Sequence, residues 1–235
     1  MNMDRLAVLP LHAVTAQYGT EGLRARLALE AHYVASHNDQ IKISQAASLA
    51  DQLHADDRRQ SEPYINHPLR VALRIMCHYN VLDTNVVCAA LLHDTVEDHA
   101  ASLSPYGRHG ALSVLAGWFG PDVAVLVDAV TNPAYAPGRD EDEQYREHLL
   151  ASLIACPPAR VIKVSDFTDN AVGLHHTTGA KATRLARKYA PVVPLLKDIV
   201  GWPDTPLQTD VKTYIHGQLD CAAERIASLA RGERR

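Results

Sequence analysis

Three short segments set polar and titratable side chains among apolar neighbours: Arg58–Pro68 (RRQSEPYINHP), Ala89–Asp98 (AALLHDTVED) and Val161–Asn170 (VIKVSDFTDN). In the second, His93 and Glu97 are four apart, as are Asp94 and Asp98, the spacing that stacks side chains on one side of a helix. They follow the apolar run Val86–Leu92, which must be buried. Carboxylates carried inward beside a histidine are costly unless a cation or hydrogen bonds compensate. A divalent ion does so, and imidazole with carboxylate suits Mn²⁺, Fe²⁺, Co²⁺ or Zn²⁺. A histidine–aspartate dipeptide alone has little specificity. The ordered set has more: His67, His93, Asp94 and Asp166 form a His₂Asp₂ ligand set drawn from three separate helices or their ends.

The motifs YINHPLRVA, AALLHDTVEDH, FGPDVAVLVDAVTN and KVSDFTDN, in this order, resemble the HD-type hydrolase domain of the RelA/SpoT homologues. The likeness is closest to the stand-alone small alarmone hydrolases and runs from about Arg58 to about Leu196. It implies an all-α HD phosphohydrolase bundle that removes the 3′-pyrophosphate from (p)ppGpp with one divalent ion, Mn²⁺. By the same resemblance His67, His93, Asp94 and Asp166 match metal ligands, and Glu97 and Asp98 match the acidic pair that orients and activates water. Asn170 matches a contact to the nucleotide sugar, Arg58 an arginine against the base, and Arg59 its basic neighbour. Tyr189 falls where an aromatic ring can stack on the base. Lys163 balances the charge of Asp166 and Asp169 beside a polyphosphate. The sequence departs from the family at SDFTDN, where Ala171, Val172 and Gly173 follow Asn170 in place of the usual Arg and Thr. That leaves adenine forms, (p)ppApp, or NADPH as alternative substrates for the same chemistry, and a nucleotide sensor as the non-enzymatic alternative. No synthetase activity is expected.

Other polar residues have plainer readings. Lys181, Arg184 and Lys188 could meet phosphates, but Arg184, Arg187 and Lys188 fit a solvated helix face better. Tyr64 packs the turn before His67. His175–His176 fit a solvent-facing or capping pair, and Trp118 and Trp202 fit packing and a surface loop.

Helices must position these groups, because apolar residues recur every three or four positions along most of the chain. Leu23, Leu27, Ala31 and Val34 mark a first helix; Ile43, Ala47, Ala50, Leu53 and His54 mark a second. Pro68 opens a third, with Val71, Ala72, Ile75 and Met76 as its buried stripe. Asp83 is placed to cap a helix over Val86–Glu97. Further helices are expected at 111–119 and 122–130, split by Gly120–Pro121, and at 141–155, 158–176, 182–200 and 209–230. The run 133–143 reads as loop. The expectation is one all-α domain over 1–235, with its core at about 21–200 and residues 1–20 and helix 209–231 peripheral.

Composition narrows the class. Twenty-three Lys and Arg stand against 27 Asp and Glu in 235 residues, a net charge of −4. That sign disfavours a nucleic-acid polymer as ligand and allows a small phosphorylated nucleotide in a local basic pocket. Four cysteines without a CxxC pair suit a reducing compartment. No run approaches the apolar length of a membrane span, so a cytoplasmic protein is expected; the sequence leaves oligomeric state open. Thirteen histidines raise the question of metal.

Overall fold

The computed structural model describes residues 3–59, 62–173 and 179–231. Among them thirteen helices and one two-residue ribbon account for nearly all regular structure, as an all-α reading requires. The chain packs as two compact units, residues 1–131 and 132–235.

The first unit holds α1 (Met3–Val8), α2 (Leu11–Val34), α3 (His37–Leu53), the ribbon β1 (Arg58–Arg59) and β2 (Glu62–Pro63), α4 (Asn66–Cys77), α5 (Thr84–Leu92), α6 (Thr95–Leu103), α7 (Gly107–Phe119) and α8 (Pro121–Val130). Its centre is α5, where every residue from Val86 to Leu92 is buried. Each buried Val or Leu there contributes about 1.5–3 kcal/mol, enough to fix where the chain leaves the core at His93. Asp83 caps α5 by accepting from the amides of Asn85 at 2.8 Å and Val86 at 3.3 Å. The stripe Val71, Ala72, Ile75 and Met76 of α4 is buried as its spacing requires. Gly120, at φ 89°, closes α7 through its amide to the Ala116 carbonyl, and Pro121 starts α8. That left-handed turn is the one glycine adopts without penalty. At the N-terminus Leu6, Leu11 and Val14 are buried, and the buried Arg26 donates to the Leu6 carbonyl.

The second unit holds α9 (Glu141–Ala155), α10 (Pro157–Gly173), α11 (Gly179–Tyr189), α12 (Val192–Gly201) and α13 (Thr209–Ala230). Asp140 caps α9 through the Glu143 amide at 2.7 Å. Arg160 on α10 is almost wholly buried; it donates to the Leu153 carbonyl at 2.7 Å, Thr205 Oγ1 at 2.9 Å and Asp204 at 2.7 and 3.0 Å. Its guanidinium also lies 4.9 Å from the centre of the Trp202 ring. One cation thus ties the start of α10 to the end of α9 and the turn after α12. Val211, Ile215, Leu219, Ala222 and Ile226 form the buried face of α13.

Four expectations are corrected. The helix expected over Val86–Glu97 is two, α5 and α6, with a turn at His93–Asp94. The helix expected at 182–200 is also two, because Pro191 and Pro194 lack the amide donors a continuous helix needs. The helix marked by Leu23, Leu27, Ala31 and Val34 is not the first but α2, which begins at Leu11 and bends at Gly19, where φ is 61°. Trp118 is 61% exposed rather than packed. The end of the helix expected at 158–176 lies outside the described residues, as do His175 and His176 and the side chain of Lys181.

Candidate metal centre

The turn at His93–Asp94 decides the local geometry. Asp94 keeps right-handed backbone angles, φ −94° and ψ −11°, while the regular helix is interrupted by a turn at His93–Asp94, and the Thr95 hydroxyl donates to the Leu92 carbonyl at 2.7 Å. The chain restarts as α6, the Asp94 carbonyl accepting from the Asp98 amide at 2.9 Å. His93 therefore ends the buried helix and Asp94 caps the next, so the two side chains converge instead of fanning around one helix.

His67 reaches the same place from the first turn of α4. Beside it, Asn66 is buried and held at both ends of its carboxamide: Thr20 donates to Asn66 Oδ1 at 2.7 Å, and Asn66 Nδ2 donates to Glu62 Oε2 at 2.9 Å. Arg70 grips the same Glu62 carboxylate with two bonds of 2.8 and 3.0 Å. This fork locks the ribbon onto α4, and with it the orientation of the histidine between them.

The His67 and His93 rings lie edge to face, 5.1 Å between centres, each offering a ring nitrogen within 4.8 Å of the other's. Asp94 Oδ2 stands 3.0 Å from His93 Nε2 and 3.7 Å from His67 Nε2. His93 Nδ1 lies 2.9 Å from the Ala90 carbonyl. A carbonyl only accepts, so Nδ1 donates, which leaves Nε2, on the side of Asp94, as the nitrogen that can ligate a metal. This is the outer hydrogen bond that orients a ligating imidazole. Two buried histidines and a carboxylate aimed at one point are a donor set that fits a divalent ion of the Mn²⁺ to Zn²⁺ series.

Tyr64 packs the turn before His67 as expected and also belongs to the site. Its hydroxyl donates to Asp94 Oδ2 at 2.8 Å, and its ring stacks on His54 at 4.5 Å. Burial and the Asp94 charge push the tyrosine pKa up, so it remains a donor at any ordinary pH. Glu97 and Asp98 lie on the first turn of α6, both exposed. The Asp98 carboxyl is pushed up to about 6 by partial withdrawal from water and by the charges of Asp94 and Glu97. Arg58 and Arg59 form β1, paired in register with Pro63 and Glu62 just ahead of Tyr64.

In the second unit, Lys163, Asp166 and Asn170 share one side of α10. Lys163 Nζ donates to Asp166 Oδ2 at 3.0 Å and Asn170 Nδ2 donates to Asp166 Oδ1 at 2.6 Å, so both carboxylate oxygens are held. Lys163, Asp166 and Asp169 are all buried. Tyr189, half-buried at the end of α11, meets Phe167 edge-on at 5.4 Å. Lys188 lies 4.5 Å over the Tyr145 ring, a packed position rather than a purely solvated one.

Three further residues had no separate role in the sequence reading. His54, expected to line the buried stripe of α3, ends that helix and faces Asp57; His99 faces the same carboxylate. Their separations of three and 42 residues from Asp57 carry no recognisable motif.

An HD domain family model matches residues 46–192, passing through both units. The guanosine-3′,5′-bis(diphosphate) 3′-pyrophosphohydrolase MESH1 of Xenopus tropicalis is 35% identical over 133 residues, 55% of this chain and 67% of the relative. Its Mus musculus counterpart is 34% identical over 145 residues, 60% of this chain and 74% of the relative. A probable GTP pyrophosphokinase of Mycobacterium leprae is 33% identical over 162 residues, which are 68% of this chain and only 19% of that longer protein. The fold matches a metazoan ortholog of SpoT, which hydrolyzes ppGpp and plays a role in starvation responses, with a TM-score of 0.53 and 26% identity over 82% of this chain and 97% of that one. With its histidine–aspartate turn at 93–94 inside a match that covers more than half its length, the chain belongs to the HD domain family.

Proposed function

We propose that this protein is a metal-dependent 3′-pyrophosphohydrolase of (p)ppGpp that releases pyrophosphate and GDP or GTP, without synthetase activity. The observation that carries the reading is the convergence of His67, His93 and Asp94, with His93 Nδ1 tied to the Ala90 carbonyl, in a chain similar to enzymes of that name. Asp166 is the fourth ligand in this reading; the family match that runs unbroken to residue 192 supports it. Residues 1–235 then work as one HD-type unit around one divalent ion, Mn²⁺.

A divalent ion held by these four residues lowers the pKa of water and offsets charge on the phosphoryl oxygens. The chain's own groups do the rest. The water oxygen attacks the phosphorus bonded to O3′, the O3′–P bond breaks to release pyrophosphate, and the proton taken from the water passes on to O3′ to leave a 3′-hydroxyl. Glu97 receives the water's proton and Asp98 aligns the water, since a carboxylate within hydrogen-bond reach of an attacking water can act as its base. Arg58 and Arg59 hold the base and its phosphates, the guanidinium fork matching phosphate edges. Asn170 meets the sugar, Tyr189 stacks on the base, and Lys163 balances the carboxylates of α10.

The ligand is a small nucleotide rather than a nucleic-acid polymer or a membrane. No helix among the described residues is long and apolar enough to cross a membrane. Free cysteines at 77, 88, 156 and 221 suit a reducing cytoplasm.

The test is incubation of the purified chain with Mn²⁺ and ppGpp, with chromatography of the products. GDP and pyrophosphate in equal amounts, lost in His93→Ala, are expected. Turnover of (p)ppApp or NADPH with none of ppGpp would overturn the substrate while leaving the reaction class intact.

A further inference from the structure

A second set of metal-type donors converges in the first unit. His54 Nδ1 lies 2.7 Å from Asp57 Oδ2, His99 Nε2 lies 2.7 Å from the same oxygen, and the two nitrogens are 3.1 Å apart. All three atoms point at one spot, His54 and Asp57 from the turn after α3 and His99 from a stretch 42 residues on. His54 ends α3, its amide on the Ala50 carbonyl; Asp57 follows in the tight turn closed by its amide on the His54 carbonyl. His99 arrives from α6, and at His99 itself the helix departs from helical geometry, φ −129° and ψ 25°. The backbone bends at the residue whose ring turns toward Asp57.

We propose that His54 Nδ1, Asp57 Oδ2 and His99 Nε2 form a second divalent-metal site, of zinc type and separate from the His67, His93 and Asp94 set. Two imidazoles and one carboxylate with water as the fourth ligand is an ordinary open zinc shell. Zinc bonds of about 2.0–2.2 Å need donor–donor edges of roughly 3.3–3.6 Å in a tetrahedron, so each edge here opens by less than an ångström on loading. Hydrogen bonding to Asp57 alone leaves the two ring nitrogens facing each other at 3.1 Å, whereas a cation takes the lone pairs of both and of the carboxylate at once. Access is graded to suit an ion entering from solvent. The His54 side chain is 1% exposed, while those of His99 and Asp57 are 19% and 38% exposed. The site also adjoins the first: the Tyr64 ring lies on His54, and the Tyr64 hydroxyl holds Asp94.

The experiment is Zn²⁺ titration of the chelator-stripped full chain by calorimetry, with bound metal counted by native mass spectrometry. His93→Ala, which breaks the first set, should still hold one zinc equivalent; His93→Ala with His99→Ala should hold none. Asp57→Asn, in a partly exposed turn, should lower zinc affinity by roughly two orders of magnitude with the helical circular dichroism intact, the expected loss of one ligand's share of a site. Co²⁺ bound to His93→Ala should give visible d–d absorption that His99→Ala abolishes. Unchanged zinc stoichiometry and affinity in both Asp57→Asn and His99→Ala would overturn the site and leave a hydrogen-bonded triad. Failure of the proposed hydrolysis is separable, because these readouts need neither nucleotide nor turnover.

Discussion

Tyr64 donates its hydroxyl to Asp94 Oδ2 at 2.8 Å, the same oxygen that faces His93 Nε2 at 3.0 Å. A residue two positions ahead of helix α4 therefore sets the direction of a carboxylate thirty positions later. Tyr64→Phe keeps the ring on His54 and removes only this bond. The variant should stay folded but bind Mn²⁺ about 10- to 100-fold more weakly, the usual cost of losing an outer partner of a metal ligand. Metal-dependent activation curves at fixed ppGpp will show it; an unshifted midpoint would remove Tyr64 from the centre.

The carboxyl of Asp98 titrates near 6, raised by withdrawal from water and by Asp94 and Glu97. A carboxyl raised in the folded state favours folding when protonated. Its contribution is complete below the unfolded value near 4 and is lost as pH rises through about 6. The metal-free chain should therefore melt lower at pH 7.5 than at pH 5 on account of this group. Asp98→Asn should flatten that slope and raise the metal-free Tm at pH 7.5, while impairing hydrolysis. Carboxyl NMR will give the midpoint directly, and Glu97→Gln should move it down.

Lys163 and Asp166 form a buried ion pair at 3.0 Å. Lys163→Met leaves the aspartate uncompensated and should cost about 3–5 kcal/mol in the metal-free chain. Asp166→Asn added to it should restore much of the loss. Denaturant midpoints of the two single variants and the double variant close the cycle; additive losses would mean that the pair is not coupled.

Arg160 ties three stretches of the second unit together by hydrogen bonds. Arg160→Met strips donors from the Leu153 carbonyl and Thr205 Oγ1. Buried acceptors left unmet cost about 1–3 kcal/mol each, so a Tm loss of roughly 5–15 °C is expected for a chain of this size. Calorimetry will measure it, with KM for the nucleotide unchanged in the folded fraction.

Much of this was legible in residue order. The apolar run Val86–Leu92 announced a buried helix, and the order of His67, His93–Asp94 and Asp166 announced metal-type donors, because burial and spacing are written in the chain itself. Asp83 and Gly120–Pro121 were readable for the same reason: capping and turn chemistry act over a few residues. Tyr64 was not, since a tyrosine before a helix looks the same whether it packs a turn or holds a carboxylate thirty residues away.

The sequence by itself determined the helical class, the buried runs and the residue types that can hold a metal. Only the tertiary structure decided that α5 stops at His93, that Tyr64 holds Asp94, and that His54, Asp57 and His99 meet. A helix period of 3.6 residues is local, whereas the direction of a side chain at a helix break depends on what distant segments pack against it.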